Sequence, residues 1–518
     1  MFRHALRFLR RGLPALALVA VVALVASPAR AQSLTEFEGK TTVHRLENGW
    51  TFIIVERPVS PVFSFATYVD VGSAQEVPGI TGLAHMFEHM AFKGTPNIGT
   101  TNYKAEQAAL DALEDAYQAW QDERQSLRPD PEEMRRLEDN FKKAQDEANK
   151  YVVSNEFGDI IDREGGVGLN AGTGPDATVY FYSLPSNKTE LFAYLESERF
   201  LHPVFREYYK ERDVVMEERR LRTESQPIGR LIEQFIATAF VAHPYKQPVV
   251  GYMSDLQSIT MTDAEQFYKT YYVPSNLVTS IVGDVKASEV IPILEKYFGR
   301  VEAGPHPAPV RTVEPPQIAE KTVVIKDPSQ PVYVEGYHKA SRTNPDQPVF
   351  DAIDDILSNG RTGRLYRALV RDKKLAVQTG SFSSFPGEKY PNMQIFFAVP
   401  TKGVTNLEVQ GAIRAELDRL RAEDVSKEEL ARFKTRAKAS LLRSLRSNQG
   451  LANQFADFQT VFGDWREVFR YLDRLDTVTS ADIRRVANET FQARNRTVGM
   501  IETETAQAAP TGAAGSSR

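Results

Sequence analysis

The chain has no cysteine among its 518 residues. That excludes any disulfide and any lipid-modified cysteine anchor. Histidine is scarce, at eight, with no His-rich tract, so a scavenger that only sequesters metal is disfavoured. Positive charge is in deficit, with 63 Lys and Arg against 68 Asp and Glu, a net charge of −5. Long apolar runs are missing too. Leu13 to Ala26 is an apolar stretch of fourteen residues, short of the ~20 that cross a bilayer as a helix. It follows Arg3, Arg7, Arg10 and Arg11 and precedes Ala29-Arg30-Ala31. That order predicts a cleavable secretory signal over residues 1–31, with no stable membrane anchor. Its removal takes away five arginines and no acids, leaving a net charge of −10 on 487 residues. Nucleic acid is then not the expected partner, since phosphate binding needs a basic face. Export without disulfides predicts a periplasmic location.

The mature length exceeds one core and predicts at least two domains. Residues 299–322 are proline-dense and lose apolar periodicity, as a linker does. The tail 506–518 is rich in Ala, Gly, Ser and Thr and is expected to be disordered. The two sides of the linker look like repeats. Residues 259–276 align without gaps on 478–495: Thr260 falls on Thr479, Asp263 on Asp482, Tyr272 on Phe491 and Asn276 on Asn495. Nearer the start of each half, "PVFSF" at Pro61 matches "PVYVE" at Pro331. The expected domains are 32–298 and 323–505.

The first half is longer because of residues 103–152, two charged amphipathic helices joined at Arg128-Pro129-Asp130-Pro131. The charge density predicts a solvated helical hairpin without chemistry of its own. Asn48-Gly49 predicts a hairpin turn, and residues 63–71 alternate like a strand. Helices are expected at 83–92, 189–201, 206–224, 227–239, 346–358, 363–371, 405–422 and 427–447. The mixture predicts an α+β fold with helices on one face of each sheet.

One short stretch carries chemistry. "TGLAHMFEHMAF", residues 81–92, places His85 and His89 one helical turn apart on one face, with Glu88 beside them. Two imidazoles so placed can reach one ion at ~2.0–2.1 Å, and the glutamate can take a proton from water on that ion. Two satisfied core histidines would be the plainer reading. A catalytic site also needs a third ligand. The acidic helix 208–224 offers Glu211 and Glu218, seven apart on one face, with Glu217 pointing elsewhere; spacing alone leaves the choice open.

H-x-x-E-H is the inverzincin signature, and the surrounding text resembles the pitrilysin/insulinase family of zinc metallopeptidases, which includes mitochondrial processing peptidase. "VDVGSAQEVPGITGLAHMFEHMAFKGT", "GLNAGTGPDATVYFYSLP", "ERDVVMEE" and residues 243–285 carry the resemblance, which extends from about residue 40 to 505. It implies two homologous domains forming one half of a clamshell. It implies one zinc per chain, held by His85, His89 and Glu218, with Glu88 as general base. It makes Glu211 an accessory glutamate that orients a ligand. It places Asn170 and Ala171 on a strand that pairs with an extended peptide substrate; without it they would read as a turn. Many relatives carry an arginine and, seven positions later, a tyrosine in the second domain. Here Val370 and Val377 stand at those positions, with Arg371 one step off the helical register. The resemblance therefore implies a paralogous partner subunit that supplies the Arg/Tyr pair. The alternatives are a homodimer that uses other donors, such as Arg371, and a peptide-binding subunit without turnover.

Overall fold

A computed structural model describes residues 34–504. The expected signal 1–31 and tail 506–518 lie outside the described residues. The chain divides into two units at Lys40 and Thr41. The first is described only by a short helix, Leu34–Glu38, and the turn after it. Everything below concerns the second.

That unit contains two sheets. The first runs β1-β2-β6-β3-β5-β4 and the second β7-β11-β8-β10-β9. In the first, β1 (Thr41–Arg45) and β2 (Thr51–Glu56) form the Asn48-Gly49 hairpin, with Gly49 at φ +101°. β3 (Val62–Val69), β4 (Val167–Thr173), β5 (Thr178–Pro185) and β6 (Leu277–Gly283) complete it. The second contains β7 (Lys321–Asp327), β8 (Val332–Lys339), β9 (Ala376–Phe382), β10 (Asn392–Pro400) and β11 (Arg496–Thr503). Apart from β1, strand for strand the order is the same, with β2·β6 and β7·β11 parallel and the other pairs antiparallel.

The repeat is visible atom by atom. Thr260 and Asp263 cap Met261–Tyr271 reciprocally, and Thr479 and Asp482 do the same for Ser480–Thr490. Asn276 Nδ2 donates to Tyr271 O at 2.9 Å and Asn495 Nδ2 to Thr490 O at 3.0 Å. Each motif satisfies the exposed amides of a helix start or the free carbonyls of its end.

Six helices surround the site, α1 (Leu83–Met90), α2 (Tyr103–Arg124), α3 (Pro131–Asn149), α4 (Tyr208–Arg219), α5 (Pro227–Ala239) and α6 (Met261–Tyr271); α7 (Gln347–Ser358) lies in the second domain. The expected helix 206–224 is α4 followed by one π-helical turn, Arg220–Glu224. The expected helix 363–371 is a π-helical stretch, Tyr366–Asp372. Residues 302–320, inside the expected linker, hold no helix or strand. They are tied down nonetheless: Glu314 accepts from the amides of Val241, Ala242 and His243.

β3 is not open to solvent on either face: Phe63, Phe65, Ala66 and Val69 are all inaccessible. The helix Asn448–Phe462 of the second domain lies across β3 and β6, and Gln449 Nε2 donates to Phe65 O. Reciprocally, α5 of the first domain packs on β7 and β11. Each domain covers the open face of the other's sheet, which binds the two into one body.

The hairpin α2–α3 is not a solvated arm either. Glu106, Leu113, Tyr117 and Gln121 form a buried stripe on α2, and Phe141 and Ala148 one on α3. Apart from Glu106, the charges that dominate its composition lie outside these stripes.

Candidate metal centre

α1 begins where the chain is tightly packed. Gly82 sits at φ +95°, and a Cβ there would meet Leu256 Cδ2 at 2.8 Å and Val250 O at 2.9 Å. Two carboxylates, the buried Glu76 and the half-buried Asp255, hold this entry. Glu76 accepts from the amides of Gly82 and Ala84, each at 2.8 Å. Asp255 Oδ2 accepts from Thr81 Oγ1 at 2.6 Å and from the amides of Gly79 and Thr81. They satisfy amides at and just before the helix start that have no partner within the helix.

So fixed, α1 presents His85, Glu88 and His89 towards α4. His85, His89 and Glu218 come together with one ligand atom from each inside 4.8 Å of the others, the one such cluster among the described residues. Glu218 Oε2 lies 3.7 Å from His85 Nε2 and 3.5 Å from His89 Nε2. Ligand atoms on a tetrahedral zinc at ~2.0–2.1 Å stand ~3.4 Å apart. The donor set and both spacings therefore fit that ion.

The electrostatics of His85 suit ligation, while the hydrogen bond to Glu211 and the neighbouring carboxylates raise the His89 imidazole above its ordinary pKa. Burial, against the pull of Glu218, holds the His85 imidazole below its ordinary pKa and so neutral, the form in which a ring nitrogen ligates. Glu211 Oε2 lies 3.4 Å from His89 Nδ1 and accepts a hydrogen bond from it. That leaves His89 Nε2 facing Glu218, the arrangement by which a carboxylate orients a ligating imidazole. Lys93 Nζ holds the other oxygen of Glu211 at 2.6 Å. Burial would raise the Glu211 carboxyl, but His89 and Lys93 outweigh it and hold it at about 2.

Glu217, the alternative third ligand, points away, more than half exposed and paired with Arg220. Glu88 opens onto a cleft of about 430 Å³, lined also by His89, Phe92, Asn170, Ala171 and Lys210. Asn170 and Ala171 are not a turn. They lie on β4, the edge strand of the first sheet. The amide of Ala171 is bonded to the Asn170 side chain at 2.8 Å and not to β5, so a ladder donor faces outward beside the cleft.

In the second domain Val377 lies on the edge strand β9 and is 57% exposed. Val370 packs against that domain's core. Arg371 is exposed and held by Asp372.

Sequence reasoning missed Glu76, Asp255, Lys93 and Arg222, whose guanidinium pairs with Glu218 Oε1. Lys93 and Arg222 each follow a ligand by four residues, a spacing that could have flagged them. Nothing in the sequence points from Asp255 to α1.

The chain is a two-domain α+β protein with a histidine–carboxylate cluster near a sheet edge, and comparison with known proteins gives that class a name. Residues 51–120 match the family described as Insulinase (Peptidase family M16), and residues 258–437 match its companion, the Peptidase M16 inactive domain. The zinc protease PqqE of Helicobacter pylori is 30% identical over 441 residues, which cover 83% of this chain and 86% of that one. The chain belongs to the insulinase family. It is also 23% identical to the probable mitochondrial-processing peptidase subunit beta of Arabidopsis thaliana over 89% of this chain and 78% of that one. Among solved structures, a protease from Helicobacter pylori superposes with a TM-score of 0.75 at 28% identity, over 89% of this chain and 99% of that one. The M16 inactive domain from Pseudomonas fluorescens shares the fold at a TM-score of 0.70 and 16% identity.

Proposed function

We propose that this chain is an exported, periplasmic zinc endopeptidase acting on peptides or unfolded segments, with Glu88 as general base. The observation that carries the reading is the convergence of His85, His89 and Glu218 beside a cleft floored by Glu88 and walled by an edge strand. These three residues would hold one zinc per chain; when bound, it lowers the pKa of water and polarises a carbonyl. The chain's own groups do the rest. β4 takes an extended peptide as an added strand through backbone bonds such as the Ala171 amide, which asks little of its sequence. Glu88 removes a proton from the attacking water and returns it to the departing amine. Glu211 keeps the proton of His89 on Nδ1.

The charge that develops on the carbonyl oxygen calls for a second donor. Val370 and Val377 cannot supply one, so we assign that task to a paralogous subunit carrying an arginine and a tyrosine. The same two valines favour a second reading, a peptide-binding subunit without turnover. Hydrolysis of unstructured peptides by the purified chain, alone and with a candidate partner, separates the two. Glu88→Gln is expected to abolish turnover while keeping zinc; retained activity sinks the mechanism. Glu218→Gln is expected to lose zinc and Glu217→Gln to keep it. The N-terminus of the exported protein is expected at Gln32.

A further inference from the structure

The α2–α3 hairpin reaches the metal centre by two independent routes. The first begins at Glu106 on α2, fully buried and paired with Arg206, itself 1% exposed. Arg206 Nη2 donates to Glu106 Oε2 at 2.8 Å. Its remaining donors hold the carbonyls of Lys93, Thr95 and Ile98, the loop that leaves α1. Lys93 then passes the constraint on: its Nζ binds Glu207 Oε2 at 3.0 Å and Glu211 Oε1 at 2.6 Å, and Glu211 holds His89. An unbroken chain of polar contacts therefore runs from the hairpin to a metal-facing imidazole.

The second route goes to α4. The ring of Tyr117 lies 4.1 Å from that of Tyr209, centroid to centroid, and the Arg212 guanidinium sits 4.7 Å above Tyr117 and bonds its hydroxyl. Tyr209 and Arg212 flank Glu211 in sequence and form the rear face of the helix whose front carries Glu211 and Glu218. Glu114 adds a third point, accepting from the Tyr209 hydroxyl and from the amides of Met261 and Thr262 at the start of α6. A helix gripped on its rear face cannot roll, and a roll of one residue would carry Glu218 ~100° away from the histidines.

We propose that the hairpin is a positioning brace for the metal centre, with Glu106 and Tyr117 as its positioning residues. Neither touches a ligand; each acts through elements that carry one. The proposal rests on the zinc reading above.

Zinc affinity of the full chain, measured by chelator competition, tests it alongside the melting temperature. Glu106→Gln and Tyr117→Ala are each expected to weaken zinc binding by about 10–100-fold, the range for groups that orient ligands. Tyr117→Phe keeps the ring and is expected to stay within about 3-fold of the wild type. Ile413→Ala, in the buried core of the second domain, is the control: it lowers the melting temperature and leaves zinc affinity unchanged. The two hairpin variants break different contacts, so either reports if the other does not fold. Variants that melt lower but bind zinc like the wild type overturn the proposal and leave the zinc reading intact. Zinc binding that survives His85→Ala overturns the reading, and the proposal with it.

Discussion

Glu76 offers the sharpest test of how the first domain holds its metal helix. It is 2% exposed, and its two oxygens take the amides of Gly82 and Ala84. Burial, opposed by those two amides and aided by the charge of Asp255, pushes its carboxyl from 4.5 up to about 8. The folded chain therefore keeps a proton that the unfolded chain releases near 4.5. Across that window the native state binds more protons, so stability falls as pH rises. At about 1.36 kcal/mol per unit, the full span is worth about 5 kcal/mol as a ceiling. Glu76→Gln removes the titration. Its amide can accept from only one of the two backbone donors and turns an NH₂ towards the other, at a cost of about 1–3 kcal/mol. At pH 5 the variant is expected to be less stable than the wild type by that amount. By pH 8 the gap should close or reverse, because only the wild type must then ionise a buried acid. Denaturant unfolding of both chains, metal-free, at pH 5, 6.5 and 8 measures the gap; other titrating groups cancel between them. A gap that does not change with pH refutes the reasoning.

Gly82→Ala puts a Cβ into Leu256 and Val250 at a left-handed φ, so calorimetry should show a loss of about 1–3 kcal/mol, together with weaker zinc binding. Ala171→Pro removes an outward edge donor that β5 does not use, so KM should rise about tenfold with melting temperature and zinc content unchanged. Asp176 accepts from the Tyr245 hydroxyl and from the amides of Glu388 and Lys389, bridging the domains; Asp176→Ala should cost about 2–4 kcal/mol and speed limited proteolysis near residues 386–390. Burial pushes the Asp354 carboxyl up to about 7, so its contribution to stability falls as pH rises from about 4 to 7; in Asp354→Asn that slope in the second domain's melting should flatten.

What could be read from the sequence was local. Thr260 with Asp263, Thr479 with Asp482, and His85 with Glu88 and His89 each lie within one or two helical turns, where spacing alone fixes geometry. The fold class followed from the repeat of such units. The partners that finish the site are remote. Arg206 meets Glu106 across 100 positions, Asp255 meets Thr81 across 174, and Gln449 meets Phe65 across 384. No periodicity reports contacts of that kind. The hairpin misled for a different reason. Composition averages over all faces of a helix, and the buried stripe Glu106, Leu113, Tyr117 and Gln121, spaced by seven, four and four, is diluted by charges on the other faces. Reading by position would have exposed it.

The second domain repeats the scaffold without the chemistry. α7 follows β8 as α1 follows β3, and it carries Asp351, Asp354 and Asp355 at the spacing of His85, Glu88 and His89. These aspartates are spoken for: Asp355 pairs with Arg436, Asp354 with the Ser381 hydroxyl, and Asp351 with the Tyr471 hydroxyl and Gln347. A guanidinium already occupies this cluster, and His85, His89 and Glu218 form the one metal-competent group among the described residues. The described residues then offer a single such cluster, and on the proposed reading this makes zinc stoichiometry diagnostic of the assembly. A pair of identical chains binds two ions. A pair formed with a paralogue that lacks the H-x-x-E-H motif binds one, and its activity should fall when the partner's arginine or tyrosine is removed while the zinc stays in place. Two ions per active pair, with full turnover by this chain alone, would mean that the donor missing at Val370 and Val377 is supplied from within this sequence.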